Sequence, residues 1–180
     1  MEDQTSVEKG PTTLSVGIRF GLIMAAASVA YFMILNVAGA DTTQGFGRWS
    51  GLVINIVIIF FAHKNFKDNG DGFMSFGQGF TIGFWISLIS SAVSSVFTFI
   101  YAKYIDTGFI QTLLDAQEQG MIERGMSEEQ VEQAMEMSAK FMTPTSMLIF
   151  GFVFGIIILL IISAVVGIFT QKKNPDPFAS

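Results

Sequence analysis

Glycine or serine occupies every fourth position from residue 79 to residue 95: Gly79, Gly83, Ser87, Ser91 and Ser95, with Ser90 and Ser94 beside them. Residues four apart share one face of a helix, so this ladder is a groove lined by small side chains and hydroxyls. Two chemistries fit it. In lipid, small faces let a second helix approach closely, and serine hydrogen bonds replace the hydrophobic drive that water would supply. The other is a serine-lined polar path through a bundle. Shorter ladders repeat the pattern at Gly17, Gly21 and Ala25, and again at Gly151, Gly155, Ser163 and Gly167. All three ladders read as helix-packing faces.

Asn55 falls in the middle of an apolar stretch, where an amide must find a partner or bear the cost of burial. An interhelical hydrogen bond to the serine face is one reading, and an intramembrane contact to a ligand or ion is the other. Cysteine is absent and His63 is the one histidine. This leaves no thiolate chemistry and no multi-histidine metal centre within one chain. His63 is expected at a membrane rim, too shallow to activate a serine of the ladder. No catalytic residue, cofactor site or metal site is therefore assigned. The methionines Met121, Met126, Met135, Met137 and Met142 could in principle hold Cu(I), but their spacing suits packing. Lys67-Asp68-Asn69-Gly70-Asp71-Gly72 lacks the alternating oxygens of a calcium loop and reads as a tight turn.

The elements that carry these residues follow from charge. Only 14% of the 180 residues are charged, against about 25% in an ordinary soluble domain. Residues 20–40, 49–63, 72–102 and 141–171 hold no Asp, Glu, Lys or Arg, in runs of 21, 15, 31 and 31. A bilayer-spanning helix needs about 20 mostly apolar residues. The chain is thus expected to be all-α, a single membrane domain over 1–180. It is a bundle of four transmembrane helices at about 14–39, 43–66, 76–104 and 147–170, with an amphipathic helical hairpin between helices 3 and 4. The second helix exceeds its charge-free run because 15 residues rise only about 22 Å, and Arg48 and Lys64 can snorkel at its ends. Residues 1–13 read as a disordered tail. A cleaved signal peptide ending near Ala38-Gly39-Ala40 competes with a retained first helix, but the apolar run is too long for one.

The hairpin occupies about 105–144. Ser127-Glu128-Glu129-Gln130 matches a capping box at the start of its second helix, and Pro144 is expected to end it. Residues 103–144 hold eight acids and three bases, while the rest of the chain balances at seven of each. No basic patch exists for nucleic acid. Placing both termini in the cytoplasm puts Lys9, Arg19, Lys64, Lys67, Lys172 and Lys173 inside, in line with the positive-inside rule. The hairpin then lies outside. No Asp or Glu sits at bilayer depth, which counts against an ion-coupled carrier. Ser15-Val16-Gly17 and Ser75-Phe76-Gly77 open helices 1 and 3 alike, a hint of an internal repeat.

Several blocks in order resemble a family. They are Ser75-Phe76-Gly77-Gln78-Gly79-Phe80 with Gly83, Tyr104-Ile105-Asp106, Gly125-Met126-Ser127-Glu128-Glu129-Gln130-Val131-Glu132, and Pro144, Gly151 and Lys172-Lys173. Over about residues 14–173 the chain resembles a family of four-helix bacterial membrane proteins, common in Bacteroidota, catalogued as domain of unknown function 4199. Thr107 stands where the family often has proline. The resemblance implies a retained first helix and a bacterial cytoplasmic (inner) membrane protein, and brings no activity. Its partners are the lipid bilayer and either further copies of itself or a larger membrane complex. The favoured reading is a non-enzymatic membrane subunit or self-associating scaffold using its small-residue faces. The alternative is a small-solute or ion transporter or channel, with Asn55 and the serine face lining its path.

Overall fold

The computed structural model of the chain describes residues 10–38 and 45–175, and at 45–48 the backbone alone. Residues 1–9 of the amino-terminal tail, the end of the first helix at Gly39, the start of the second at Thr43 and the Arg48 side chain lie outside the described residues. Six α-helices follow in order: α1 (Thr13–Val37), α2 (Gly45–Asp68), α3 (Phe76–Ile100), α4 (Phe109–Glu123), α5 (Glu128–Phe141) and α6 (Pro144–Thr170). No strand occurs among the described residues. Met74 and Lys172 alone exchange a pair of backbone hydrogen bonds at 2.8 and 2.9 Å.

Local chemistry starts most of these helices. The first amides of a helix lack carbonyl partners, and a hydroxyl one residue upstream can accept from one of them. Thr12, Ser75, Ser127 and Thr143 do so for α1, α3, α5 and α6. At α3 and α5 the third residue is Gln78 or Gln130, whose side-chain oxygen takes the cap's own amide at 2.7 and 3.0 Å. Ser15 plays that part at α1, so it is the third residue of its helix while Ser75 is the cap of its own. The two Ser-x-Gly openings are out of register, so they do not mark equivalent starts of α1 and α3. Pro144 begins α6 rather than ending the hairpin, because the first helical position needs no amide donor. Gly125 joins α4 to α5 at φ +75°, backbone that a side chain would strain. Replacing Ser127 with alanine should cost about 1 kcal/mol, read as faster amide hydrogen exchange confined to the first turn of α5.

Four helices are long and apolar enough to cross a membrane: α1, α2 from Trp49, α3 through Ile105, and α6. Their outward faces carry Leu22, Ile34, Phe61, Val96, Ile161 and Phe169, all exposed. So apolar a surface suits hydrocarbon better than water. α3 sits at the centre, packed chiefly on α6 and α1, while α2 lies against α1 and α6 and touches α3 least. The core is Val16, Met24, Ile59, Ile82, Ile86 and Leu159 with their neighbours. Both described ends of the chain lie at one end of the bundle: Gly10 and Pro11 neighbour Asn69 and Gly70, and Lys172 pairs with Met74.

At the opposite end α3 runs on through a π-helical turn, Tyr101–Ile105, closed by Asp106 N–H to the Tyr101 carbonyl at 2.9 Å. Phe32, Tyr101 and Phe109 meet edge to face there, with centroids 5.0–5.5 Å apart. This fixes the base of α4 on α1 and α3. Beyond that base the hairpin packs on itself, with Gln117 Nε2 donating to Ser138 Oγ at 2.8 Å.

Candidate functional site

The ladders meet inside the chain. α3 and α6 run antiparallel, so the fourfold spacing of one meshes with that of the other. Gly83 lies opposite Ser163, Ser91 opposite Gly155 and Ser95 opposite Gly151. A methyl on Gly83 would overlap the Ser163 side chain, and one on Gly155 would fall 2.6 Å from Ser91 Oγ. On α1, Gly17 and Gly21 receive the Cβ atoms of Trp85 and Ile89. Gly79 faces Met74 and His63. The small-residue faces are thereby occupied by the protein's own helices, and surfaces left for further copies lie elsewhere.

Toward the hairpin end the four spans leave a cavity of about 570 Å³ between Ser28 of α1, Asn55 of α2, the serines of α3 and the Met147–Leu159 face of α6. Three of the α3 hydroxyls are satisfied by their own helix: Ser90 donates to the Ile86 carbonyl at 2.7 Å, Ser95 to Ala92 at 3.2 Å and Thr98 to Ser94 at 3.0 Å. Ser91 is not. It is 5% exposed, and its Oγ has no hydrogen-bond partner. The side chains of Ser28, Ser94 and Asn55 likewise make no hydrogen bond among the described residues. Asn55 thus does not make the expected bond to the serine face, because α2 is the span least in contact with α3. Residue Asn55 and the serines share a cavity instead. No charged residue lines it. Its chemistry is that of neutral donors and acceptors among long apolar helices, where unmatched polar groups are expensive in hydrocarbon.

His63 departs from its expected place at the rim. Its side chain is fully buried, because α2 continues a further turn to Asp68 and the ring is held between α3 and α6. Nε2–H donates to the Gly79 carbonyl of α3 at 3.1 Å, and Nδ1 lies 2.8 Å from Thr170 Oγ1 of α6. Lys67 Nζ donates to the Thr170 carbonyl at 2.8 Å. One turn of α2 therefore ties the ends of α3 and α6. Sequence reading missed this node. Its signal was the His63–Lys67 spacing of four, which puts both side chains on one helix face. His63 does not line the serine cavity, and no group of three His, Asp or Glu side chains comes together among the described residues.

A second, apolar groove of about 730 Å³ lies along α5, lined by Met126, Met137, Phe141 and Met142 and reaching Met147 and Phe150 of α6. Of the methionines anticipated as packing residues, Met126, Met137 and Met142 line this groove, with Met137 still 64% exposed, and Met121 and Met135 are half-buried elsewhere in the hairpin.

A family model described as a protein of unknown function, DUF4199, matches residues 19–172. No curated protein and no solved structure matches the chain.

Proposed function

The chain belongs to the DUF4199 family, and for it we propose a non-enzymatic role: binding an uncharged polar group in the serine cavity and passing it along the bundle, as a small-solute transporter or channel. One observation carries this reading. Ser28, Asn55, Ser91 and Ser94 line one cavity, and the Ser91 Oγ, enclosed against Gly155, has no hydrogen-bond partner. A buried hydroxyl is ordinarily matched. A turn of the Ser91 side chain toward the cavity would let a ligand or a file of water supply what it lacks. The absence of a carboxylate at bilayer depth suits passive binding or facilitated passage rather than ion coupling. His63 is committed to Gly79 and Thr170, which supports a role without serine-based catalysis.

We place the protein in a bacterial cytoplasmic membrane with both termini inside. The end of the bundle bearing them carries Lys64, Lys67, Lys172 and Lys173, the side that the positive-inside rule assigns to the cytoplasm. A second reading, assembly with a further copy or a larger membrane complex, draws on the hairpin, which leaves Met137 and Phe141 more than half exposed.

Ser94 is half-buried on the cavity wall, and Ser94→Phe fills the space with little to displace. The variant should keep its thermal midpoint within a few degrees of wild type. Native mass spectrometry of protein gently extracted from its own membranes should then show at least a tenfold loss of any retained small molecule. Equal retention in the variant rejects the cavity as the site, and a defined oligomer without a small ligand favours assembly.

A further inference from the structure

The two cavities adjoin. Met147 and Phe150 close one end of the apolar groove and also form the start of the α6 wall of the serine cavity. From that junction the groove follows one face of α5, where Phe141, Met137, Ala134 and Gln130 recur at spacings of three and four, and reaches Met126 just before the helix. From Phe141 to Gln130 the helical rise covers about 16 Å, and Met126 extends the groove past it. That exceeds the roughly 15 Å depth of hydrocarbon in one leaflet. Methionine is unbranched and polarizable, so a wall of it conforms to a flexible chain better than branched residues do.

Charge narrows the occupant further. α5 bears Glu128, Glu129, Glu132 and Glu136, and none of them lines the groove. They stand outside it, in a hairpin segment with eight acids against three bases. An anionic head would meet that field on approach, and an identical acidic hairpin would be repelled by it. At the inner end no charged side chain awaits a charged head of either sign, and an unpaired charge at that depth is costly. Hydroxyls and one carboxamide await a neutral head that can both donate and accept.

We infer that serine cavity and methionine groove form one site for a single-chain amphiphile with an uncharged, hydrogen-bonding head. The head lies among Ser28, Asn55, Ser91 and Ser94, and the acyl chain runs past Met147 and Phe150 onto the face of α5. The inference rests on the binding reading of the serine cavity and adds the class of ligand. It also gives the hairpin a task that a mere connection between α3 and α6 would not need: sheltering a chain on the far side of the membrane surface.

The test uses the full chain in phosphatidylcholine nanodiscs, read by native mass spectrometry. Three probes are compared: 1-monooleoylglycerol, the equivalent lysophosphatidylglycerol, and glycerol in the buffer. Monooleoylglycerol should be retained at least tenfold more than either of the others. Met137→Asp, at a position 64% exposed and so harmless to the fold, should cut that retention about tenfold, and Ser94→Phe should abolish it. Retention of glycerol without preference for the chain would leave the cavity reading standing and overturn the amphiphile. Equal retention of the anionic lipid overturns the neutral head. A dimer lost in Met137→Asp gives the groove to a second copy and overturns the proposal as well. Retention of none of the probes, together with no effect of Ser94→Phe on material from native membranes, defeats both readings.

Discussion

Gly83→Ala is expected to destabilise the bundle by about 3 kcal/mol, at the upper end of what one added methyl does in a packed core. The reason is the identity of the neighbour. The new methyl would overlap Ser163 at its Cβ as well as its Oγ. Rotation about χ1 can move the hydroxyl but not the Cβ, which is fixed to the α6 backbone. α3 and α6 must therefore move apart, and they share a ladder. Separation at Gly83 also loosens Ser91 against Gly155 and Ser95 against Gly151. The check is a thermal melt of purified protein in a mild detergent, followed by the exchange of size across the contact. Ser163→Gly removes the obstructing atoms, so Gly83→Ala with Ser163→Gly should recover more than half of the loss. Contacting residues couple in this way and distant ones do not. An unchanged midpoint in Gly83→Ala, or no recovery in the double variant, would refute the register of α3 on α6.

How much of this was legible beforehand differs from residue to residue, for physical reasons. The ladders were, because fourfold spacing of Gly and Ser reports a helix face directly. Which face meets which was not. Gly83 could have received a second copy of the chain as readily as Ser163, since spacing encodes a surface and not its occupant. The four spans were legible because charge is so costly in hydrocarbon that its absence marks them. The start of α6 at Pro144 was misread because proline ends one helix and begins another by the same lack of an amide, and only the Thr143 cap decides between them. The cavity could be read in part. Asn55 was singled out for its depth, yet its partner depended on how far α2 stands from α3, a tertiary quantity. The apolar groove was hidden because the methionines of α5 read equally as core.

His63→Ala carries the second large effect, about 4 kcal/mol, within the range for emptying a large buried site. Three losses combine. The Gly79 carbonyl, which also accepts its own helix's amide, loses the His63 donor at 3.1 Å and keeps Ser163 Oγ at 3.5 Å. The Thr170 hydroxyl lies 2.8 Å from both His63 Nδ1 and the Val166 carbonyl, so its single proton retains one good acceptor and that end suffers least. The largest loss is volume, because the imidazole is fully enclosed. His63→Leu refills most of the space without restoring a donor, and should cost about 1 kcal/mol, the net worth of the one hydrogen bond lost at Gly79. The difference between the two variants in one melt separates packing from hydrogen bonding. The damage should also be local. Lys67 still reaches the Thr170 carbonyl, so α6 stays near α2 while the Met74–Lys172 pair opens, and amide exchange should quicken at those two residues before the rest of the bundle. Uniform acceleration through α3 and α6 would instead make His63 part of the global core. The serine cavity lies toward the opposite end of the spans, and none of its lining residues belongs to this node. A protein that loosens at His63 yet retains its cavity ligand would show that the termini end holds the helices together and the hairpin end leaves room for function.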